Sequence, residues 1–95
     1  MKIKTKSGFV CDVDENRGKD WRFTKALAKM ENDETALVGV SFCVPFLLGE
    51  DGEKKLMEHV KEEDGSIPSD KMISEFREIL VLLGEKVKKS ASSPE

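Results

Sequence analysis

Residues 36–48, ALVGVSFCVPFLL, form the main uninterrupted apolar stretch of this chain and decide how the rest of it folds. Only Gly39, Ser41 and Pro45 interrupt its apolar side chains. The stretch falls well short of the roughly 20 residues that a membrane-spanning helix needs, and charged segments follow it. We therefore predict a buried core element, covered by the flanking segments, and no membrane partner.

The secondary structure of this stretch has two interpretations. Every second side chain between residues 38 and 44 is large and apolar, a period typical of a strand. The length of the run, with Gly49 as a C-terminal stop, favours a helix instead, and we prefer the helix. Because Pro45 cannot donate a hydrogen bond to the Ser41 carbonyl, such a helix is expected to kink or restart near Val44.

Length and composition predict one small, charge-rich domain. The chain has 95 residues, of which 38% are hydrophobic and 37% are charged, with a net charge of -3. A core of this size is marginal, which is a reason to expect homo-oligomerisation. Phosphate binding needs clustered Lys and Arg, so the acidic balance argues against nucleic acid as the main partner. The N-terminus lacks the apolar segment of a signal peptide, and we expect a cytoplasmic protein.

The segments around the apolar stretch predict an α+β fold, with an N-terminal β-hairpin followed by about four α-helices in a mostly helical single domain. Residues 1–13 alternate apolar and polar side chains around a turn at 6–8, where Gly8 can take a positive φ. We assign residues 1–85 to the domain and residues 86–95 to a flexible polar tail. Periodicity, caps and glycine stops place the helices at 20–31, 36–48, 50–64 and from 69 onward.

The last predicted helix carries the clearest amphipathic stripe. Its apolar side chains recur at helical intervals: Met72, Phe76, Ile79, Leu80, Leu83 and Val87. We expect the side chains of this stripe to lie in the core. The stripe is also longer than one short hairpin and three small helices readily cover, so part of it can face a second subunit. We expect the helix to begin to fray at Gly84.

No residue pattern indicates catalysis. His59 is the only histidine and has no serine or cysteine nucleophile motif nearby. The segment from Asp12 resembles the opening of a calcium loop, but Arg17 stands where that loop requires glycine. Cys11 and Cys43 are expected to be small buried hydrophobic residues. We therefore predict no catalytic, metal-binding or cofactor-binding residue, and no enzyme.

A series of short motifs runs along the chain. They are Lys6-Ser7-Gly8-Phe9, Asp20-Trp21-Arg22 with Leu27-Ala28, Phe46-Leu47-Leu48-Gly49-Glu50, Glu58-His59-Val60 with Glu63-Asp64-Gly65, and Pro68 with Met72. Each motif alone is only a turn, a cap or a helix stop. In their order and spacing, residues 3–83 resemble the small tail assembly chaperones of long-tailed (siphovirus-type) phages and prophages of Gram-positive bacteria.

The resemblance implies a non-enzymatic role in phage tail assembly. Chaperones of this family bind the long, aggregation-prone tape measure protein in the host bacterial cytoplasm and help bring tail tube subunits to it. They are absent from the mature virion. In related phages a translational frameshift yields a short and an extended form, and this chain resembles the short one.

A holding chaperone needs adaptable apolar surface on an acidic body, and methionine is a conformationally adaptable apolar side chain. On this physical ground we predict six partner-binding residues: Trp21, Met57, Met72, Phe76, Leu80 and Leu83. The alternative for each is burial in the monomer. Two other functions stay open. One is a small helical protein-interaction adaptor or antitoxin-like regulator, and the other is a small enzyme subunit, which would need a deep polar pocket around His59.

Overall fold

The computed structural model describes residues 1–90, with side chains as far as residue 86. Two antiparallel strands precede four helices. In chain order the elements are β1 (Lys2–Lys4), β2 (Val10–Asp12), α1 (Glu15–Gly18), α2 (Trp21–Met30), α3 (Ala36–Val60) and α4 (Ser69–Ser90). This order confirms the predicted α+β fold of a β-hairpin followed by about four helices.

The hairpin buries one face against α3 and α4. Ile3 pairs with Cys11 across the two strands, and both side chains are buried. The amide of Gly8, with φ 96°, closes the turn by donating to the Thr5 carbonyl at 3.0 Å. Because a two-stranded hairpin is marginal alone in water, its stability here comes from packing on the helices.

Helix α2 and the first half of α3 cross closely at Gly39. A Cβ atom at this position would lie 2.6 Å from the Ala26 carbonyl oxygen and 2.9 Å from the Met30 amide nitrogen. Both are backbone atoms, so neither can swing aside as a flexible side chain can. Glycine therefore allows the close approach of these helices, and the crossing determines which side of α3 is covered by α2.

Helix α3 consists of two helices joined at Gly49. This residue has φ 80° and ψ 168°, a conformation almost restricted to glycine, and it separates a first half (36–48) from a second half (50–60). The apolar stretch is therefore helical, as preferred from the sequence. The break at Gly49 agrees with the stop predicted there, whereas the backbone stays helical through Pro45 and the further break predicted near Val44 does not occur.

The loop after α3 begins earlier than predicted. The helix ends at Val60, whereas the sequence predicted an end near Asp64. The Asp64 carboxylate accepts a hydrogen bond from the Ser66 amide at 2.9 Å, and Gly65 between them has φ 89°. This local turn competes with helix continuation, since Asp side chains that bond nearby amides favour turns.

Helix α4 continues past Gly84, where fraying was predicted, to Ser90. Residues 86–90, the first part of the predicted polar tail, are therefore helical, while residues 91–95 lie outside the described part of the chain. The side chain of Val87, the last member of the predicted stripe, is also outside it. Within residues 1–90, no helix combines the length and apolar content that a bilayer crossing requires.

The core lies between the hairpin, α2, α3 and α4. Helix α4 contributes the middle of its stripe, and the first half of α3 contributes one side. The buried residues from these two helices include Val40, Cys43, Val44, Leu47, Phe76, Ile79 and Leu83. Cys11 and Cys43 are free thiols inside this core, as predicted. Burial raises the pKa of the Cys43 thiol to about 11.

Candidate binding surface

The first half of α3 forms an apolar ridge that is covered on one side only. On its other side, Leu37, Val38 and Phe42 are 60%, 55% and 41% exposed. The predicted core element is therefore buried only in part, because the helix is apolar all round and its neighbours pack on one side. We call these three residues the apolar ridge. Several large apolar side chains exposed on one short helical segment make it a candidate interaction site.

One groove, the α2–α3 groove, lies between this ridge and α2. It has a volume of about 270 Å³ and is lined by Arg22, Lys25, Ala26, Lys29, Val38 and Phe42. The α2 residues fall at positions i, i+3, i+4 and i+7, which form one helix face. The groove therefore has an apolar floor and a row of basic side chains along its α2 edge.

The basic edge of the α2–α3 groove is only partly neutralised. Arg22 pairs with Asp20, the N-cap of α2, at 2.9 Å. The hydrogen bonds from the side chain and amide of Arg22 lower the pKa of the Asp20 carboxyl to about 2. Residues 21–30 contain no acidic residue. Within the part of the chain that the structure describes, neither Lys25 nor Lys29 forms a salt bridge.

Stacked aromatic rings support the ridge. The Phe42 ring lies 5.2 Å from the Phe46 ring, which in turn lies 6.3 Å from the buried Phe23 ring. The Arg22 guanidinium sits 5.1 Å from the centroid of Phe46. Arg17 donates from Nη1 to the Phe46 carbonyl at 2.9 Å, near the end of the first half of α3. These contacts hold Phe42 in place at the edge of the groove.

A second groove, the methionine groove, lies on the other side of the ridge, between α3 and the start of α4. Its volume is about 320 Å³. It is lined by Leu37, Val40, Ser41, Val44, Glu53, Met57, Ile67, Ser69, Met72 and Ile73. Met57 and Met72, which the sequence predicted as partner-binding residues, are half-buried and share this groove. The ridge therefore separates two apolar grooves.

The other four predicted partner-binding residues lie elsewhere. Trp21 is 69% exposed at the first residue of α2. Leu80 is half-buried and lines a separate cleft with Leu83, which is itself buried. Phe76 is completely buried. Phe76 is out of a partner's reach in this fold and Leu83 exposes only 6% of its surface, so we place both residues in the core and leave them out of the candidate surface.

A polar cluster ties the hairpin turn to the helices. Ser7 Oγ lies 2.8 Å from His59 Nε2 and donates to the Glu75 carboxylate at 2.8 Å. The carboxylate is bonded to the serine and not to the far nitrogen of the imidazole, so the three groups lack the nucleophile–base–acid order of a hydrolytic triad. Their evident role is to fasten the turn to α3 and α4.

Sequence reasoning missed the three ridge residues. A usable signal was present: a helix of this length that is apolar all round needs cover on every side, and a 95-residue chain supplies little. Comparison of the chain with protein-family models, curated proteins and solved structures gave no match. Function is therefore inferred from this surface and from the motif resemblance.

Proposed function

We propose that this chain is a non-enzymatic tail assembly chaperone of a long-tailed phage or prophage. It binds the tape measure protein in the host bacterial cytoplasm, helps recruit tail tube subunits, and is not part of the mature virion. The order of the short motifs between residues 3 and 83 supports the family. The exposed apolar ridge supports the mode of action.

The single observation that carries the proposal is the exposure of Leu37, Val38 and Phe42 beside two apolar grooves. Fully burying one such side chain stabilises a complex by about 1.5 to 3 kcal/mol before the costs of association are subtracted. A few of these contacts give the moderate affinity that suits a holding chaperone, which must later release its client.

The shape of the surface suits a helical client. An amphipathic helix can lay its apolar face into a groove, with anchor residues spaced one helical turn apart. Met57 and Met72 in the methionine groove can adjust their side chains to different anchors, because methionine is unbranched and flexible. One surface can therefore receive many segments of a long, repetitive helical protein.

The test is co-expression of this chain with the tape measure protein encoded in the same phage or prophage. We expect the long protein to stay soluble and to co-purify with this chain, whereas it precipitates when expressed alone. If it precipitates regardless and this chain elutes by itself, the chaperone proposal fails and the adaptor or antitoxin-like function becomes the better explanation. Gel filtration of the same samples reports whether the chain forms a homo-oligomer.

A further inference from the structure

We infer that the α2–α3 groove binds an amphipathic helix of the partner whose apolar stripe is flanked by Glu or Asp. This inference rests on the proposed function and specifies the chemistry of the segment that is bound. Two features of the groove carry it, namely the unneutralised basic edge on α2 and the apolar floor beside it.

The basic edge selects for charge. Residues 21–30 carry three basic and no acidic side chains, in a chain whose net charge is -3. Arg22 is engaged by Asp20, which leaves Lys25 and Lys29 as the cations available to a ligand. Their spacing of four residues corresponds to a rise of about 6 Å along α2. Two acidic side chains one turn apart on a bound helix match that spacing.

The apolar floor selects for an amphipathic ligand. Ala26, Val38 and Phe42 are the apolar residues that line the groove, and the Phe42 ring is held by its stack on Phe46. A ligand with acids alone would leave this floor exposed, and one with an apolar stripe alone would leave the lysines unpaired. A helix with both covers the whole groove.

A second copy of this chain does not provide such a helix. Its acidic segment is residues 50–64, with seven acids against three lysines. Of the three large apolar residues of that segment, Leu56 and Val60 are already buried in its own core, and Met57 is half-buried in the methionine groove. A second copy therefore offers acids with a single half-buried methionine beside them and no free apolar stripe, and the partner protein is the better occupant.

The experiment compares a matched pair of amphipathic peptides that share one Leu stripe, one with Glu and the other with Lys at the flanking positions. Binding is measured by fluorescence anisotropy at low and physiological salt, since exposed ion pairs weaken with salt. We expect the Glu peptide to bind about tenfold more tightly, from two ion pairs gained and two like-charge contacts avoided.

The variant Lys25→Glu/Lys29→Glu is expected to reverse this preference. The control is Lys54→Glu/Lys55→Glu, which changes the net charge equally at exposed positions on the second half of α3 and is expected to preserve the preference. Circular dichroism checks that both variants are folded.

Equal binding of the two peptides, or an unchanged preference in Lys25→Glu/Lys29→Glu, overturns the inference. If the tape measure protein still co-purifies in that case, the proposed function survives without it. If neither peptide binds and the tape measure protein also fails to co-purify, both the inference and the proposed function are overturned. A dimer that forms without peptide and dissociates in Lys25→Glu/Lys29→Glu would assign the groove to a second copy and would also overturn the inference.

Discussion

At the scale of single residues, Gly39 sets how closely α2 and the first half of α3 approach each other, and with it the geometry of the candidate binding surface. We expect Gly39→Ala to lower the free energy of unfolding by about 1 to 3 kcal/mol, because the new methyl group overlaps backbone atoms of α2 and forces the helices apart. Chemical denaturation measures this change. The matched control is Gly84→Ala in α4, where an added Cβ meets nothing within 4 Å.

Gly84→Ala should raise stability by about 0.5 to 1 kcal/mol, because alanine loses less backbone entropy than glycine in a helix. Equal effects of the two substitutions would show that the α2–α3 crossing does not depend on a glycine. The close approach at Gly39 would then no longer explain which side of the first half of α3 is covered.

Asp20 gives the N-terminus of α2 a pH dependence. Its pKa lies at about 2, below the ordinary value of 3.8, chiefly because of the side-chain hydrogen bonds from Arg22. A carboxyl with a depressed folded-state pKa stabilises the protein above its unfolded-state pKa, and this contribution is lost as the pH falls through the folded-state value. The stabilisation is therefore complete above about pH 4 and disappears near pH 2.

We expect Asp20→Asn to be less stable than the wild type at neutral pH and equally stable near pH 2. Asparagine still caps the helix but cannot form the ion pair. Urea denaturation as a function of pH measures the difference. Arg22→Gln should reduce this pH dependence, because it removes the side-chain partner and keeps the hydrogen bond from the amide of residue 22. If the difference in stability between wild type and Asp20→Asn is constant from neutral pH down to pH 2, the pKa of Asp20 is not lowered by folding, which contradicts this explanation.

At the scale of elements, the break in α3 gives the methionine groove its shape. Gly49 directs the second half of the helix so that Met57 faces the start of α4. We expect Gly49→Ala to cost about 1 to 3 kcal/mol of stability through backbone strain alone, since nothing lies within 4 Å of an added Cβ. Thermal unfolding detects the loss. A stability equal to that of the wild type would mean that the positive φ is not required.

The elements themselves were largely predictable from the sequence. The alternation around Gly8 predicted the hairpin, and Gly49 was recognised as a stop because glycine is favoured where a helix ends. The additional kink predicted near Val44 was wrong, since the backbone angles stay helical through Pro45. A proline removes one hydrogen bond, yet the backbone there stays helical, with the neighbouring Val44 and Leu47 buried in the core. Tertiary packing of that kind is not encoded in a local pattern.

At the scale of the whole molecule, the candidate binding surface was only partly predictable. Met57 and Met72 were chosen for adaptability, and they do share a groove. Phe76 was chosen from a stripe whose centre is core, because the sequence alone does not show how far α3 covers α4. Val38 and Phe42 were missed because a helix that is apolar all round carries no periodic signal of which side is covered. That side is decided by the crossing of α2.

The charges of the molecule are also segregated. Basic side chains line α2, whereas residues 50–64 are acidic, and the apolar ridge lies between these regions in the fold. The candidate surface therefore has a basic side and an acidic side as well as apolar area, and the two sides distinguish the two directions in which a helix could bind. Complementary charge steers encounter and fixes the direction in which a bound helix lies more than it adds affinity.

The most direct test of the central claim is co-purification of the tape measure protein with Val38→Asp/Phe42→Asp. The control is Val81→Asp, which places one negative charge, against two in the double variant, at an exposed apolar position of α4 outside both grooves. We expect the double variant to stay folded, because both side chains are exposed, and to lose the long protein, while wild type and Val81→Asp retain it. Retention by the folded double variant would contradict a client-binding role for the ridge.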